Sequence, residues 1–359
     1  MTNVQQIFLS LVRLGIGHNL PRSYVSYDQN DWNSVITLAE KQGLTAVVLD
    51  GVEKLPEKQM PPKTLLLRWI GSTLQSFEHR YELYRRAIAS LASFYNDHDF
   101  KMMVLKGYAC SINWPKPEHR PAGDIDIWLF GKYRLADEVI SCEAGINVDT
   151  SEHHHTVFFW KGFMVENHYD FINVHHHKSN VEIERILKEL GEDDSHYFEV
   201  FGVKVYAPSP DLHALFLLRH ALAHFAATKI TIRHLLDWAF FVEKNTNELN
   251  WPRLLEVLNR FGMTEFFNIV VAISIEDLGF DKRLFPICHH NPGMKEKVLS
   301  EIFQPQFSCE MPSNLIVRVI WKYRRWRANS WKHKLCYKES LWSAFWSGVW
   351  NHLLKPSSI

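Results

Sequence analysis

The chain is poor in cysteine. Its 359 residues include five, Cys110, Cys142, Cys288, Cys309 and Cys336, scattered and odd in number. No Cys-x-x-Cys pair occurs, which argues against a disulfide framework and against a cysteine zinc site; the usage fits a reducing cytosol. No charge dominates either. Lys plus Arg and Asp plus Glu both come to 40, a formal net charge of zero, so overall charge gives no reason to expect nucleic acid. No apolar run reaches the roughly 18 residues that mark a transmembrane helix. The first ten residues lack the basic start and long apolar stretch of a signal peptide. The expectation is a cytoplasmic chain, with no internal repeat and no low-complexity segment.

What is present is an ordinary globular composition, 46% hydrophobic and 22% charged, with a length that suggests two or three structural units. Histidine (20) and tryptophan (13) are abundant. Residues 1–96 read as helical. Trp32, Val35, Ile36, Leu38 and Ala39 have helical spacing after a candidate cap at Asp31, Gly43 ends that helix, and Pro56, Pro61 and Pro62 break the next stretch. Thr64 to about Asn96 is one long amphipathic pattern; its Arg80, Arg85 and Arg86 either face a phosphate or form a solvated face. Residues 97–208 mix short strands with helices. The pattern predicts strands at Phe100–Leu105 and Asp124–Leu129, a helix at Lys132–Glu143, a hairpin of 153–160 and 163–172 around Lys161-Gly162, and a strand pair within 198–206. Residues 209–310 are helical again, and 311–359 form a basic-aromatic C-terminal segment.

The chemistry concentrates in Arg120-Pro121-Ala122-Gly123-Asp124-Ile125-Asp126-Ile127-Trp128-Leu129. Asp124 and Asp126 alternate with Ile125, Ile127 and Leu129. That is a strand's period, so both carboxylates leave one face and the apolar side chains leave the other. Two adjacent carboxylates repel unless a cation sits between them, and oxygen ligands favour Mg²⁺ or Mn²⁺. The competing reading is an edge strand with a solvated acidic face. Upstream, Lys106-Gly107 turns out of the first strand into a helix beginning near Tyr108, a place where backbone N–H groups and the Lys106 charge suit a phosphate. Arg120 suits bidentate clamping of phosphate oxygens or a salt bridge. On the second hairpin strand Glu166, His168 and Asp170 share a face.

These residues resemble the signature of the DNA polymerase β-like nucleotidyltransferase superfamily and, more narrowly, a bacterial nucleotidyltransferase family with a Lys-Gly … Pro … Arg-x-x-x-Asp-Ile-Asp core, matched here by Lys106, Gly107, Pro115 or Pro117, Arg120, Asp124, Ile125 and Asp126. Val165-Glu166-Asn167-His168 matches a Val-Glu-x-His segment of that family. A later His … His … Arg-x-x-Asp segment, ending here at Arg233 and Asp237, extends the likeness to about residue 265. Tyr108 stands where the superfamily usually has Ser. The resemblance implies an α+β fold, a small mixed β-sheet nucleotidyltransferase core between helical N- and C-terminal regions. It implies two-metal transfer of NMP from an NTP to a hydroxyl of an acceptor: a small molecule, a protein or RNA. Asp124 and Asp126 would hold both ions, Mg²⁺ or Mn²⁺, and Glu166 the ion on the acceptor side, with Asp170 the alternative. Lys106, Gly107, Tyr108 and Arg120 would hold the triphosphate. Asp126 is expected to be exposed in a cleft. A nucleotide-binding regulator without turnover is the second reading.

The histidine runs His153–His155 and His175–His177 resemble metal sites, but neighbours on a strand point to opposite faces, so three in a row cannot all reach one ion. They are expected at loops and strand ends, with His154 and His168 meeting across the hairpin. His213, His220 and His224 fall near one face of an apolar helix, read as semi-buried. In residues 315–354 basic residues alternate with Trp321, Tyr323, Trp326, Trp331 and Tyr337. Packing on the body, an anionic membrane surface and RNA stacking are the readings, in that order. The membrane reading would make the chain peripheral or a scaffold.

Overall fold

The computed structural model describes residues 1–19, 32–175, 177–307, 312–340 and 342. The candidate cap Asp31, His176, Cys309 and the aromatic run from Ser343 onward lie outside them. The chain divides into two compact units, described in turn.

The first comprises Met1–Leu74, Leu218–Thr246 and Asn250–Leu341, and it is helical. It begins with α1 (Asn3–Gly15), α2 (Trp32–Gln42), α3 (Thr45–Val52) and α4 (Lys63–Thr73). Gly43 takes a positive φ after α2, and Pro62 precedes α4. The pattern from Thr64 to Asn96 is therefore divided: a π-helical turn over Leu74–His79 separates α4 from α5 (Arg80–Asp97).

The second unit is built on Gln75–Leu217 and carries a six-stranded mixed sheet. Its strands are β1 (Met103–Val104), β2 (Ile125–Trp128), β3 (His155–Trp160), β4 (Phe163–His168), β5 (Tyr197–Val200) and β6 (Val203–Tyr206), in the order β3-β4-β2-β1-β6-β5. Two short helices of the sequence belong with it, α6 (Lys106–Ser111) and α7 (Tyr133–Glu143), and a longer one, α8 (Lys178–Gly191). Both hairpins close with two residues at positive φ, Lys161-Gly162 and Phe201-Gly202, a turn whose twist matches that of the paired strands. β2 lies parallel to β4 and antiparallel to β1.

One face of this sheet is apolar. Ile125, Ile127, Leu129, Phe158, Phe163 and Val165 pack with Tyr84, Ile88, Leu91 and Tyr95 of α5 and with Ala136 and Ile140 of α7. Those α5 positions recur every three or four residues, the stripe a helix needs to cover a sheet. Asp137 of α7 accepts hydrogen bonds from Thr156 (3.1 Å) and Asn167 (2.8 Å), pinning the helix to β3 and β4. The ionisable side chains of β2 and β4, Asp126, Glu166 and His168, are left to the opposite face. The architecture is the α+β one: a mixed sheet with helical regions before and after it in sequence.

The remaining helices are α9 (Pro210–Ala227), α10 (Ile232–Asn245), α11 (Trp251–Arg260), α12 (Thr264–Ala272), α13 (Pro292–Phe303) and α14 (Leu315–Cys336). α14 carries much of the basic-aromatic segment, and part of its charge is used internally. Arg325 and Asn329 donate to the Ala227 carbonyl and Lys332 to that of Thr228, satisfying the end of α9. Lys332 is also paired with Glu301 at 2.7 Å, both buried. Toward its start the helix keeps Val319 68% and Ile320 55% exposed. Among the described residues no helix is long and apolar enough to cross a membrane.

Candidate active site

The parallel register of β2 on β4 sets Asp126 opposite Glu166 and Trp128 opposite His168. Side chains two apart share a face, so Asp126, Glu166 and His168 emerge together on the side away from the isoleucines. Their ligand atoms lie within 4.8 Å of one another. Asp124 sits just before β2. Its carboxyl is pushed up by burial and by the Asp126 charge, with Lys106 opposing and Glu166 adding to the rise. A raised carboxyl is what crowded carboxylates produce.

Asp126 is not exposed as expected. It is 1% exposed, because two cations meet it. Lys106 Nζ lies 2.6 Å from Asp126 Oδ1 and His168 Nε2 lies 3.1 Å from the same atom. Burial alone would raise the Asp126 carboxyl, but Lys106 and His168 overcome it and hold it well below the carboxylate range. Burial would lower His168; its hydrogen bonds to Asp126 and Glu166 instead push it up to about 9. Lys106 is likewise raised: the carboxylates of Asp126, Glu166 and Asp124 outweigh the cost of its burial. Glu166 is half-buried, 3.5 Å from His168 Nε2.

His168 gives a prediction. Its folded value, about 9, exceeds the ordinary unfolded value near 6.5. The stability it contributes is therefore fully present below about pH 6.5 and is lost as pH rises through about 9. Chelator-treated wild-type protein is expected to lose melting temperature between pH 6.5 and 9.5, and His168→Gln to lose clearly less over that range. Parallel melting curves would contradict the assignment.

Lys106 and Gly107 open α6. Gly107 has φ 49° and ψ −104°, and a Cβ there would lie 2.3 Å from the Tyr84 hydroxyl. That hydroxyl donates to the Asp124 carbonyl at 2.7 Å, and the Tyr84 ring is fixed in the core. Gly107 is thus required by both backbone conformation and space, and Tyr84 ties the Lys-Gly turn to the Asp loop. Gly107→Ala is expected to destabilise by about 2 kcal/mol or more. Adding Tyr84→Phe removes the clashing atom and should recover part of the loss in urea titration. No recovery would leave backbone strain as the whole cause.

The other sequence candidates fall as follows. Arg120 is buried and its Nη1 donates to the Pro121 carbonyl at 3.2 Å; it is close enough to act on the Tyr84 phenol. The Tyr108 ring goes into the core, stacked on Tyr81 at 6.2 Å and edge-on to Phe198 at 5.2 Å, so what Tyr108 retains toward a nucleotide is its backbone. Asp170 is ion-paired with Lys188 of α8 and is absent from the groups whose ligand atoms converge among the described residues. Arg80 donates to the Ala122 carbonyl at 3.0 Å, and Arg86 pairs with Glu82 at 2.8 Å. The expectation of a solvated α5 face fits Arg86 better than a phosphate site, and Arg80 is used instead to hold the Ala122 carbonyl.

His154 and His168 meet as expected, but sequence reasoning missed His155 beside them. Alternation does not govern His154, because β3 begins only at His155. His154 lies on the bend before it and is free of the strand's alternation. Its ring sits 4.3 Å from that of His155 and 5.7 Å from that of His168. Burial, then the neighbouring imidazoles and Lys106, hold His154 far below the ordinary histidine value, so it is neutral at physiological pH. His153 instead meets His175, rings 5.4 Å apart. His213 approaches the Cys110 sulfur at 3.7 Å, and His220 and His224 hydrogen-bond through their Nε2 atoms at 3.0 Å.

A strand–turn–helix leading to an Asp-x-Asp strand, with an acidic side chain in register on the neighbouring parallel strand, is the arrangement of a nucleotidyltransferase core. Residues 28–275 match the model of the family described as uncharacterised nucleotidyltransferase, and the chain belongs to that family. No curated protein matches. Among solved structures, an antigenic nucleotidyltransferase-like protein from Paracoccidioides brasiliensis is similar at 13% identity, covering 50% of this chain and 87% of that one with a TM-score of 0.35.

Proposed function

We propose that the chain transfers an NMP from an NTP to a hydroxyl group, with Asp124, Asp126 and Glu166 holding divalent cations, Mg²⁺ or Mn²⁺. The observation that carries the proposal is the in-register pair Asp126–Glu166 facing the Lys106 ammonium. These oxygens are the donors a hard cation takes. The bound ion supplies charge neutralisation for the triphosphate and a lowered pKa for the attacking hydroxyl.

The chain's own residues do the rest. Lys106, whose ammonium lies 2.6 Å from Asp126, would turn it to the phosphate oxygens. The backbone N–H groups of the Gly107–Tyr108 turn, which Tyr84 holds against the Asp124 loop, would meet the phosphates. Arg120 adds positive charge as pyrophosphate leaves. Glu166, the more exposed of the two paired carboxylates, faces the acceptor side. The new bond joins the hydroxyl oxygen to the α-phosphorus; the α–β phosphoanhydride bond breaks, pyrophosphate departs and the hydroxyl proton goes to solvent.

The test is transfer of label from α-³²P NTPs into components of a cell extract. The proposal expects Mg²⁺- or Mn²⁺-dependent labelling by at least one NTP, lost in Asp124→Asn. No transfer from any of the four NTPs would refute it.

A second reading concerns α14, whose exposed Val319 and Ile320 stand beside Arg318, Lys322 and Arg324. It supports peripheral binding to anionic lipid. Co-sedimentation with phosphatidylserine vesicles should then fall steeply with salt, since exposed charges are screened within about 8–10 Å at 0.1–0.15 M. Absence of binding, or binding indifferent to salt, would leave packing as the role of this helix.

A further inference from the structure

The carboxylate site uses His168 but leaves two histidines beside it without a task. His155 and His168 are register partners across the β3–β4 ladder, so their side chains stand on one face as direct neighbours, rings 5.3 Å apart. His154 joins them from the bend. Its carbonyl accepts the amides of Tyr169 and Asp170, each at 3.1 Å, which ties the backbone of the bend to the end of the strand carrying His168. Three imidazoles are thus brought together by one ladder and one pair of backbone hydrogen bonds.

We infer that His154, His155 and His168, with Glu166 beside them, form a nitrogen-rich site for a first-row transition cation, Zn²⁺ foremost, next to the carboxylate pair. Four observations support it. The three histidines offer ligand atoms within 4.8 Å of one another. A tetrahedral ion with Zn–N bonds of about 2.0–2.1 Å holds its ligands about 3.4 Å apart, a closure within reach of side-chain rotation. His154 Nδ1 and His155 Nδ1 are buried and have no hydrogen-bond partner; buried polar atoms are otherwise nearly always satisfied, and an unfilled pair calls for a ligand.

The third observation is the tautomer of His168. Its Nδ1 donates to the Asp170 carbonyl at 3.2 Å, because a carbonyl only accepts. That is the outer-shell bond that fixes a metal-binding imidazole; Nε2, which here carries a proton toward Asp126 at 3.1 Å, becomes the ligand atom when the cation displaces that proton. Fourth, His155 Nε2 lies 3.9 Å from Glu166 Oε1, so an oxygen donor adjoins the nitrogen set. Imidazole ligands select Zn²⁺, Co²⁺ or Ni²⁺ over Mg²⁺, which prefers oxygen. The set therefore distinguishes its ion from the one expected at the two aspartates.

The inference is independent of nucleotidyl transfer, and its test uses no nucleotide. Untagged full-length chain is stripped with chelator and titrated with Zn²⁺ against a chromophoric competitor, and separately with Co²⁺ while the visible spectrum is recorded. One tight equivalent of Zn²⁺ is expected, unaffected by millimolar Mg²⁺, together with the intense d–d absorption of four-coordinate Co²⁺. His154→Ala and His155→Gln should each weaken Zn²⁺ at least tenfold, while His220→Ala, which breaks the surface pair on α9, should not. Two results would overturn it: a wild-type Co²⁺ spectrum with only weak octahedral bands, or Zn²⁺ affinity that survives both hairpin substitutions and falls with His220→Ala. The wild-type spectrum decides the matter even if a substituted chain fails to fold.

Discussion

Asp126→Asn is expected to lose about 3–5 kcal/mol of stability, the cost of breaking a buried ion pair from one side, and to lose Mg²⁺-dependent NTP binding as well. The reason is the double pairing of one oxygen. His168 is buried, Lys106 is largely covered, and both face Asp126 Oδ1. An amide leaves two desolvated positive groups without their counter-ion. The melting temperature should drop by roughly 10 °C. Asp124→Asn serves as the contrast. That side chain is only half-buried, and its carboxyl sits above its ordinary pKa, so neutralising it relieves crowding. It should lose metal-dependent binding at little cost in stability, or with a small gain. Equal destabilisation by the two substitutions would show that Asp126 is not the charge on which Lys106 and His168 depend.

Glu166→Gln carries the second large effect. Glu166 is the acidic side chain that β4 sets in register with Asp126, yet it is more open to solvent than Asp126 and its contacts with His155 and His168 are long, 3.9 and 3.5 Å. Removing its charge should therefore spare the fold and leave NTP binding within several-fold. Transfer should fall about a hundredfold or more, the pattern of an interaction needed at the transition state rather than for ground-state binding. Single-turnover transfer beside equilibrium binding separates the two. Loss of binding with transfer per bound nucleotide unchanged would reassign Glu166 to the nucleotide side.

The sequence made the strand positions of the site legible because period two is a local property. Asp124, Ile125, Asp126 and Ile127 declare their faces without help from the rest of the chain, and Glu166 and His168 do the same on β4. The hairpin turns were equally local, Lys161-Gly162 most clearly. What stayed hidden depends on partners distant in sequence. Asp126 reads as a cleft carboxylate until Lys106 and His168 are seen to meet it, and nothing in the spacing announces that. Tyr108 reads as a replacement for a phosphate-binding serine; its ring instead fills the space between Tyr81 and Phe198. The basic run of α14 reads first as packing on the body with its charges in water, while Arg325 and Lys332 spend hydrogen bonds on the carbonyls that end α9. The alternation argument that His153, His154 and His155 cannot all reach one ion holds, since His153 turns to His175, but it did not place His154 beside His155, because the strand starts two residues later than expected.

The most direct measurement of the central claim is calorimetry of a non-hydrolysable NTP on the wild-type chain and on Asp124→Asn, with and without millimolar Mg²⁺. The account predicts saturable binding by the wild type only when Mg²⁺ is present, and none by Asp124→Asn under either condition. No binding by the wild type at millimolar Mg²⁺, or binding of equal strength in its absence, would contradict it.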